Sequence, residues 1–192
     1  MKSISVVIPH YPIDREVDTL LKKCISSLIG YTELFVIVNE GTGFGKAVNL
    51  GMSLTSGDYI AIVNNDVYME CGNLRDLAKD RVMSPARGFK DGPAIGMDFL
   101  PSCFVMPRWV YEKVGGFDEQ FNLGDYEDDD WYERCKEEGI MFACNLAVRV
   151  YGKQGFTKSK MSGFKESSEK NKEKFIKKWG RLPEDRKEVF YE

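Results

Sequence analysis

Residues 57–69, GDYIAIVNNDVYM, constrain the fold more than any other stretch. From Asp58 to Val63 the run is apolar and β-branched with almost no polar break, which predicts a strand buried on both faces, as in a parallel sheet covered by helices. The run stops abruptly at Asn64-Asn65-Asp66. Open α/β sheets bind ligands outside the carboxyl ends of their strands. Two amides and a carboxylate at such an end offer hard oxygen donors to Mg²⁺ or Mn²⁺, and that cation can bridge to phosphates. Asn-Asn-Asp is equally good turn chemistry, and the tripeptide alone does not separate the two readings.

The preceding residues repeat the pattern. Residues 4–8 predict a buried strand ended by Pro9, which leaves His10 and Tyr11 at its carboxyl end. His10 is the only histidine, so multi-histidine metal sites are excluded. A Ser-His-Asp triad would have to use it, and no Gly-x-Ser-x-Gly elbow accompanies it. His10 therefore reads as a loop or pocket-wall residue. Tyr11 offers an aromatic face that can stack on a nucleobase, or serve as a core tyrosine. Residues 16–29 carry apolar side chains at the i, i+3, i+4, i+7 spacing of an amphipathic helix, with Gly30 as its expected C-terminal cap. A buried strand is predicted over 34–38. It ends at Asn39, which can bond a base edge or begin a turn. The glycine loop at 41–45 then opens a helix over 46–54, and by spacing it can present Gly43 and the helix N-terminus to phosphate. It is neither a Walker A loop nor a full GxGxxG. Strand, helix, strand, helix, strand within 63 residues predicts the nucleotide-binding half of a doubly wound sheet.

At 192 residues and net charge −3, the chain predicts one domain with nothing global to attract nucleic acid. No apolar run is long enough to span a membrane, and the N-terminus lacks a secretory signal. Five scattered cysteines without a CxxC pair predict free thiols and a cytoplasmic location.

The second half is weaker in pattern. A short helix is expected at 73–79, a strand near Val82, two strands within 94–106, helical turns at 109–114 and closing strands over 140–150. From Asp118 to Asp130 there are seven acidic residues and no basic ones. Carboxylates at 127–130 suit a helix N-terminus, yet one or two suffice for that. Four adjacent acids point to a cation or a proton-transfer task. A helix over 167–179 follows, and from Tyr151 to Arg181 ten Lys/Arg face three Glu. That excess reads as a solvated helix face, a flap over a pyrophosphate, or contact with an anionic membrane surface.

Taken in order, VVIPHY, GFGKAVNLG, GDYIAIVNNDV, GGFDEQF and YEDDDWYERCKEEG resemble a family 2 glycosyltransferase with the GT-A fold. The resemblance covers residues 3–150. It implies a Rossmann-like, mostly parallel α/β sheet flanked by helices in a single domain, residues 1–155, with 156–192 as a basic loop and helix packed on or covering it. It implies that Pro9, His10 and Tyr11 hold the nucleobase with Asn39 beside it, in the place of the family's aspartate. Asn64, Asn65 and Asp66 match the DxD motif, with Asp66 as metal ligand and Asn64 replacing the first aspartate. Glu127 and Asp128 match the ED motif, with Asp128 as general base. The family's histidine after the last strand is missing, and Lys153 takes its place as a cation for the pyrophosphate. The implied reaction is inverting transfer of a sugar from a UDP- or GDP-type donor, assisted by Mn²⁺ or Mg²⁺, to a hydroxyl of a glycan, lipid-linked or protein acceptor. A non-catalytic nucleotide-sugar-binding module and a sugar nucleotidyltransferase are the alternatives. The first is favoured by Asn64 and the missing histidine. The second is disfavoured by the absence of a glycine loop after the first strand.

Overall fold

The computed structural model of the chain describes residues 2–89, 92–152, 155–184 and 188–191. β1 (Ile4–His10), α1 (Arg15–Ser27), β2 (Glu33–Val38), α2 (Phe44–Leu54) and β3 (Tyr59–Val63) form the expected βαβαβ unit. β1 lies between β2 and β3 and is parallel to both. Then come β4 (Val67–Cys71), a 3₁₀ turn at Leu74–Leu77, β5 (Val82–Phe89), β6 (Gly92–Met97) and β7 (Cys103–Pro107). The chain closes with α3 (Arg108–Val114), α4 (Glu127–Glu137), β8 (Phe142–Gly152), α5 (Phe156–Ser159), α6 (Phe164–Trp179) and β9 (Glu188–Tyr191).

The sheet runs β2-β1-β3-β7-β5-β6-β9, with β8 joined to β5 and β4 joined to β8. Its parallel ladders are β1 with β2 and β3, and β5 with β8. The remaining ladders are antiparallel. This arrangement decides where a site can form. β1, β2 and β3 point the same way, so their carboxyl ends share one edge. β7 runs against β3 with Cys103 opposite Val63, which brings the loop before β7 to that edge. β4 runs against β8 with Val67 opposite Gly152, so the chain leaving β8 arrives there too.

The core follows the two-residue period of the strands. Ile4, Val6 and Ile8 face one buried layer with Ala61, Val63, Leu74 and Leu77, beneath α1. Val7, Ile60 and Ile62 face the other, with Val48, Met52, Phe104 and Trp131. Both faces of β1 and β3 are thus covered, as their unbroken apolar runs predict. α2 approaches β1 so closely that a Cβ on Gly51 would sit 2.2 Å from Val7 Cγ1. α1 starts where Asp14 Oδ1 accepts from the amides of Glu16 and Val17, at 2.9 and 3.0 Å. Among the described residues no helix is long and apolar enough to cross a membrane, and all five cysteines are free.

Several local expectations are corrected. β2 is not a buried strand: it is half-buried and Val38 is exposed. It is apolar because Leu34 and Val36 pack on one layer and Ile37 on the other, but it lies at the edge of the sheet. Gly30 does not cap α1; the cap is Leu28, and Gly30 makes the next turn with φ +91°. Residues 140–150 give one long strand rather than two, with a register shift opposite Pro85/Ala86. β4 was not anticipated, although Val67 and Met69 point inward and Tyr68 outward as a strand requires.

Candidate active site

The shared strand edge opens into a cleft of about 340 Å³, within the usual size of a small-molecule site. Its lining includes Pro9, His10, Tyr11, Asn39, Asn64, Asn65, Asp66, Glu127 and Asp128, so most of the residues singled out in the sequence meet here. Gly43 does not line it. A Cβ on Gly43 would sit 3.2 Å from the amide of Leu123, and the first amide of α2, that of Phe44, donates to Leu123 O at 3.3 Å. The glycine at φ +103° thus lets α2 dock against the acidic loop, and the carbonyl of Leu123 takes the first amide of the helix. Lys153 lies outside the described residues.

At the end of β1, His10 is buried and bonded on both ring nitrogens. Nδ1 lies 2.9 Å from Asn65 Nδ2, and Nε2 lies 3.1 Å from Asp18 Oδ1. The amide donates to Nδ1, which places the ring proton on Nε2, facing Asp18. Asn65 Oδ1 in turn accepts from Thr157 Oγ1 at 3.4 Å. This chain of bonds props up the turn after β3 and makes His10 a pocket-wall residue. At the end of β2, Asn39 Oδ1 accepts from Thr42 N, Thr42 Oγ1 and Gly43 N at 2.9–3.2 Å. Asn39 thus begins a turn: its carbonyl fixes the glycine loop, and the residue also lines the cleft.

A turn also follows β3. Val67 N donates to Asn64 O at 3.1 Å, closing a tight turn at the cleft floor. Asn64 Oδ1 is buried without a hydrogen-bond partner. Asp66 is only 7 % exposed, and burial pushes its pKa up to about 6, with its own amide and Lys158 opposing. Two hard oxygens from one turn fit a Mg²⁺ or Mn²⁺ ion. Among the described residues no group of three His, Cys, Asp or Glu side chains is placed to hold a metal. Asp66 and Asn64 would fill only part of such an ion's coordination shell, leaving the rest to phosphate oxygens and water.

The acidic block proves to have two jobs. Asp125, Glu127 and Asp128 line the cleft. Glu127 is buried at 5 % exposure, with Oε2 unpartnered. Burial, followed by the neighbouring Asp128 charge, holds its carboxyl well above the usual range. Asp130 faces the other way and is structural. Fully buried, it accepts from Arg134 Nε at 2.9 Å, Lys178 Nζ at 2.7 Å and Trp179 Nε1 at 2.9 Å. Nearby, Lys178 also bonds Asp118, and Arg181 bonds Glu133. These contacts lock α6 onto α4. Asp130→Asn is expected to lower stability by about 3 kcal/mol in urea unfolding. That is the lower end of the range for breaking a buried pair, because Arg134 and Lys178 keep some contact with water.

Lys158 and Asp125 are among the cleft residues that escaped the sequence reading. Lys158 pairs with Asp125. Burial works against its charge, but the hydrogen bond and charge of Asp125, with Asp128 and Glu127, raise its pKa overall. The basic segment signalled a cation over the site without saying which. Other cations of that segment are held within the fold: Lys160 by Asp14 and Glu16, and Lys170 by Glu166. Asp125 was hidden by its neighbours in an acidic run.

No family model matches the sequence, and no curated protein sequence matches it. Solved structures do. S. aureus TarS aligns with TM-score 0.58 at 13 % identity, over 95 % of this chain and 40 % of that one. The catalytic domain of Drosophila β1,4-galactosyltransferase 7, in complex with xylobiose, aligns with TM-score 0.56 at 15 % identity, over 75 % of this chain and 65 % of that one. A point mutant of the same Drosophila enzyme, in complex with manganese, UDP-Gal and xylobiose, gives 0.54 at 15 %, over 74 % and 64 %. The chain thus spans less than two thirds of each of these proteins. The fold is the α/β GT-A fold that the sequence resembles.

Proposed function

We propose that the chain is an inverting glycosyltransferase of the family 2 type, using a UDP- or GDP-sugar and a divalent cation. One observation carries the proposal. A turn carrying the unpartnered amide oxygen of Asn64 and the buried carboxyl of Asp66, a second buried carboxyl paired with a further acid, a lysine and a tyrosine converge on one cleft at the carboxyl ends of parallel strands. The structural neighbours support it, since one of them is a complex with manganese, UDP-Gal and xylobiose.

In this reading Tyr11 stacks on the base and Asn39 flanks it. Asp66 and Asn64 Oδ1 hold the cation, which when bound neutralises the leaving diphosphate as a Lewis acid. Lys158 adds positive charge at the same place, taking the role assigned to Lys153 on sequence. Asp128 accepts the proton of the attacking hydroxyl. Glu127, whose pKa burial raises, leaves that task to its neighbour. Acceptors are hydroxyls of a glycan, a lipid-linked sugar or a protein. Partners for much of the C-terminal positive charge lie within the fold, so a membrane surface is not needed to account for it.

The deciding experiment is calorimetric titration with UDP and with GDP, each with Mn²⁺ and after chelation. Cation-dependent binding of one nucleotide supports the reading and identifies the base, and no binding of either sinks it. Binding without any sugar release, from any UDP- or GDP-sugar tried, would favour a non-catalytic module. In the same titration Lys158→Ala is expected to weaken binding roughly tenfold, the loss of one charge-assisted hydrogen bond. Unchanged affinity would remove Lys158 from the diphosphate site.

A further inference from the structure

Asn171 sits in α6, a helix rich in lysine and glutamate, yet it is 0 % exposed. Its Nδ2 donates to the carbonyls of Asn122 and Gly124 at 2.8 Å, with that of Asp125 at 3.2 Å. Its Oδ1 accepts from Asn122 N at 3.2 Å and from Lys174 Nζ at 3.3 Å. The residues beside it on the helix grip the same loop. Ser167 Oγ donates to Asn122 O at 2.9 Å, and Ser168 Oγ to Asp125 Oδ2 at 2.8 Å. One turn on, the Phe175 ring packs against Tyr126 with centroids 5.7 Å apart.

The loop needs such a grip. Leu123, Asp125 and Tyr126 are left-handed, with φ of 58°, 69° and 72°, and none is glycine. Backbone of this kind persists only where its surroundings over-determine it. Tyr126 also occupies the N-cap of α4 and offers no side-chain cap, so the loop alone sets where the helix starts. The next two residues are Glu127 and Asp128.

We propose that Asn171 is a positioning residue for the cleft acids: its carboxamide holds residues 122–126 in the conformation that sets Asp125, Glu127 and Asp128 into the cleft. The importance of those acids rests on the glycosyltransferase reading, whereas the hold on the loop does not.

The test compares the wild type with Asn171→Ala and Asn171→Asp. The aspartate variant keeps the volume and the contact to Lys174 but loses both donors, and serves if the alanine variant folds poorly. Trp179→Phe is the control, since it removes a bond from the far end of the same helix without touching the loop. Amide hydrogen exchange over 122–128 is expected to quicken at least tenfold in the Asn171 variants and to stay unchanged in the control. The Glu127 carboxyl, titrated by NMR, is expected to fall back towards the ordinary glutamate range only in the Asn171 variants. A purely structural bond would not move that titration selectively. Retained protection of 122–128, an unmoved Glu127 titration, or equal changes in Trp179→Phe would each overturn the assignment. A wild type that binds neither UDP nor GDP would sink the transferase reading instead, and the exchange and titration would still decide the role of Asn171.

Discussion

Asp66→Asn is expected to abolish cation-dependent nucleotide binding and, in the same protein, to raise unfolding stability at pH 8. The two effects share one cause. Asp66 lies at the cleft floor with its carboxylate withdrawn from water, and burial lifts its pKa from near 4 to about 6. Between those values the unfolded chain has released the proton while the folded chain keeps it. Folding therefore becomes less favourable as pH rises through that window, and is flat above it. At 1.36 kcal/mol per pKa unit the whole effect is about 3 kcal/mol. Asparagine removes the titration and with it this penalty. Urea unfolding of both proteins should show the variant ahead at pH 8 and the gap closing by pH 4. Glu127 shifts in the same direction, but it is common to both proteins and cancels in the difference.

Binding has the opposite sign. A cation needs the ionised carboxylate, so a proton competes with it. Wild-type affinity for UDP with Mn²⁺ should fall about tenfold per pH unit below about 6 and level off above. A variant that binds UDP with Mn²⁺ as tightly as the wild type would remove Asp66 from the cation site. A stability gain that did not vary with pH would trace to something other than its buried charge.

How much of this the sequence displayed depends on the range over which each feature is determined. The βαβαβ unit was legible because β1 and β3 are buried on both faces, and burial on both faces writes an unbroken apolar run. The placement of Asn39 and Asn64–Asp66 followed, since parallel strands put their ends together. The edge position of β2 was not legible, because side chains covered on both faces look alike whether or not another strand lies beside them. The contact of Gly43 with Leu123 was not legible, because a glycine before a helix has the same local signature whether it admits a phosphate or another stretch of backbone. The acidic block shows the limit best. Asp125, Glu127, Asp128 and Asp130 are near neighbours in sequence, yet the loop before α4 sets Asp125 in the cleft, and the helix turns Glu127 and Asp128 to it and Asp130 to Arg134, Lys178 and Trp179. Two of those partners lie some fifty residues further on. Nothing local distinguishes a carboxylate that will meet them from one that will not.

Asp128→Asn is expected to slow sugar transfer by about 10²–10⁴-fold, the usual worth of a positioned base, while UDP–Mn²⁺ affinity stays within threefold. The pair it belongs to divides its labour by environment. Glu127 is the more deeply buried, and desolvation together with the Asp128 charge raises its pKa well above the usual glutamate range, which favours its protonated form. A carboxylic acid in that state donates a hydrogen bond and cannot take a proton from a hydroxyl. Asp128 lines the cleft in the first turn of α4, where the helix dipole favours a negative charge by about 0.3–1 kcal/mol. Glu127→Gln makes the contrast sharp. The amide mimics the protonated acid, so this variant should lose less than about tenfold in rate and no stability at pH 8. Nucleoside diphosphate release from UDP- and GDP-sugars, with a mixture of hydroxyl acceptors, measures both variants in one assay. Near-normal turnover in Asp128→Asn with a collapse in Glu127→Gln would exchange the two roles. A parallel loss of affinity and rate in Asp128→Asn would make Asp128 a donor-binding residue and leave the proton without an acceptor in this cleft.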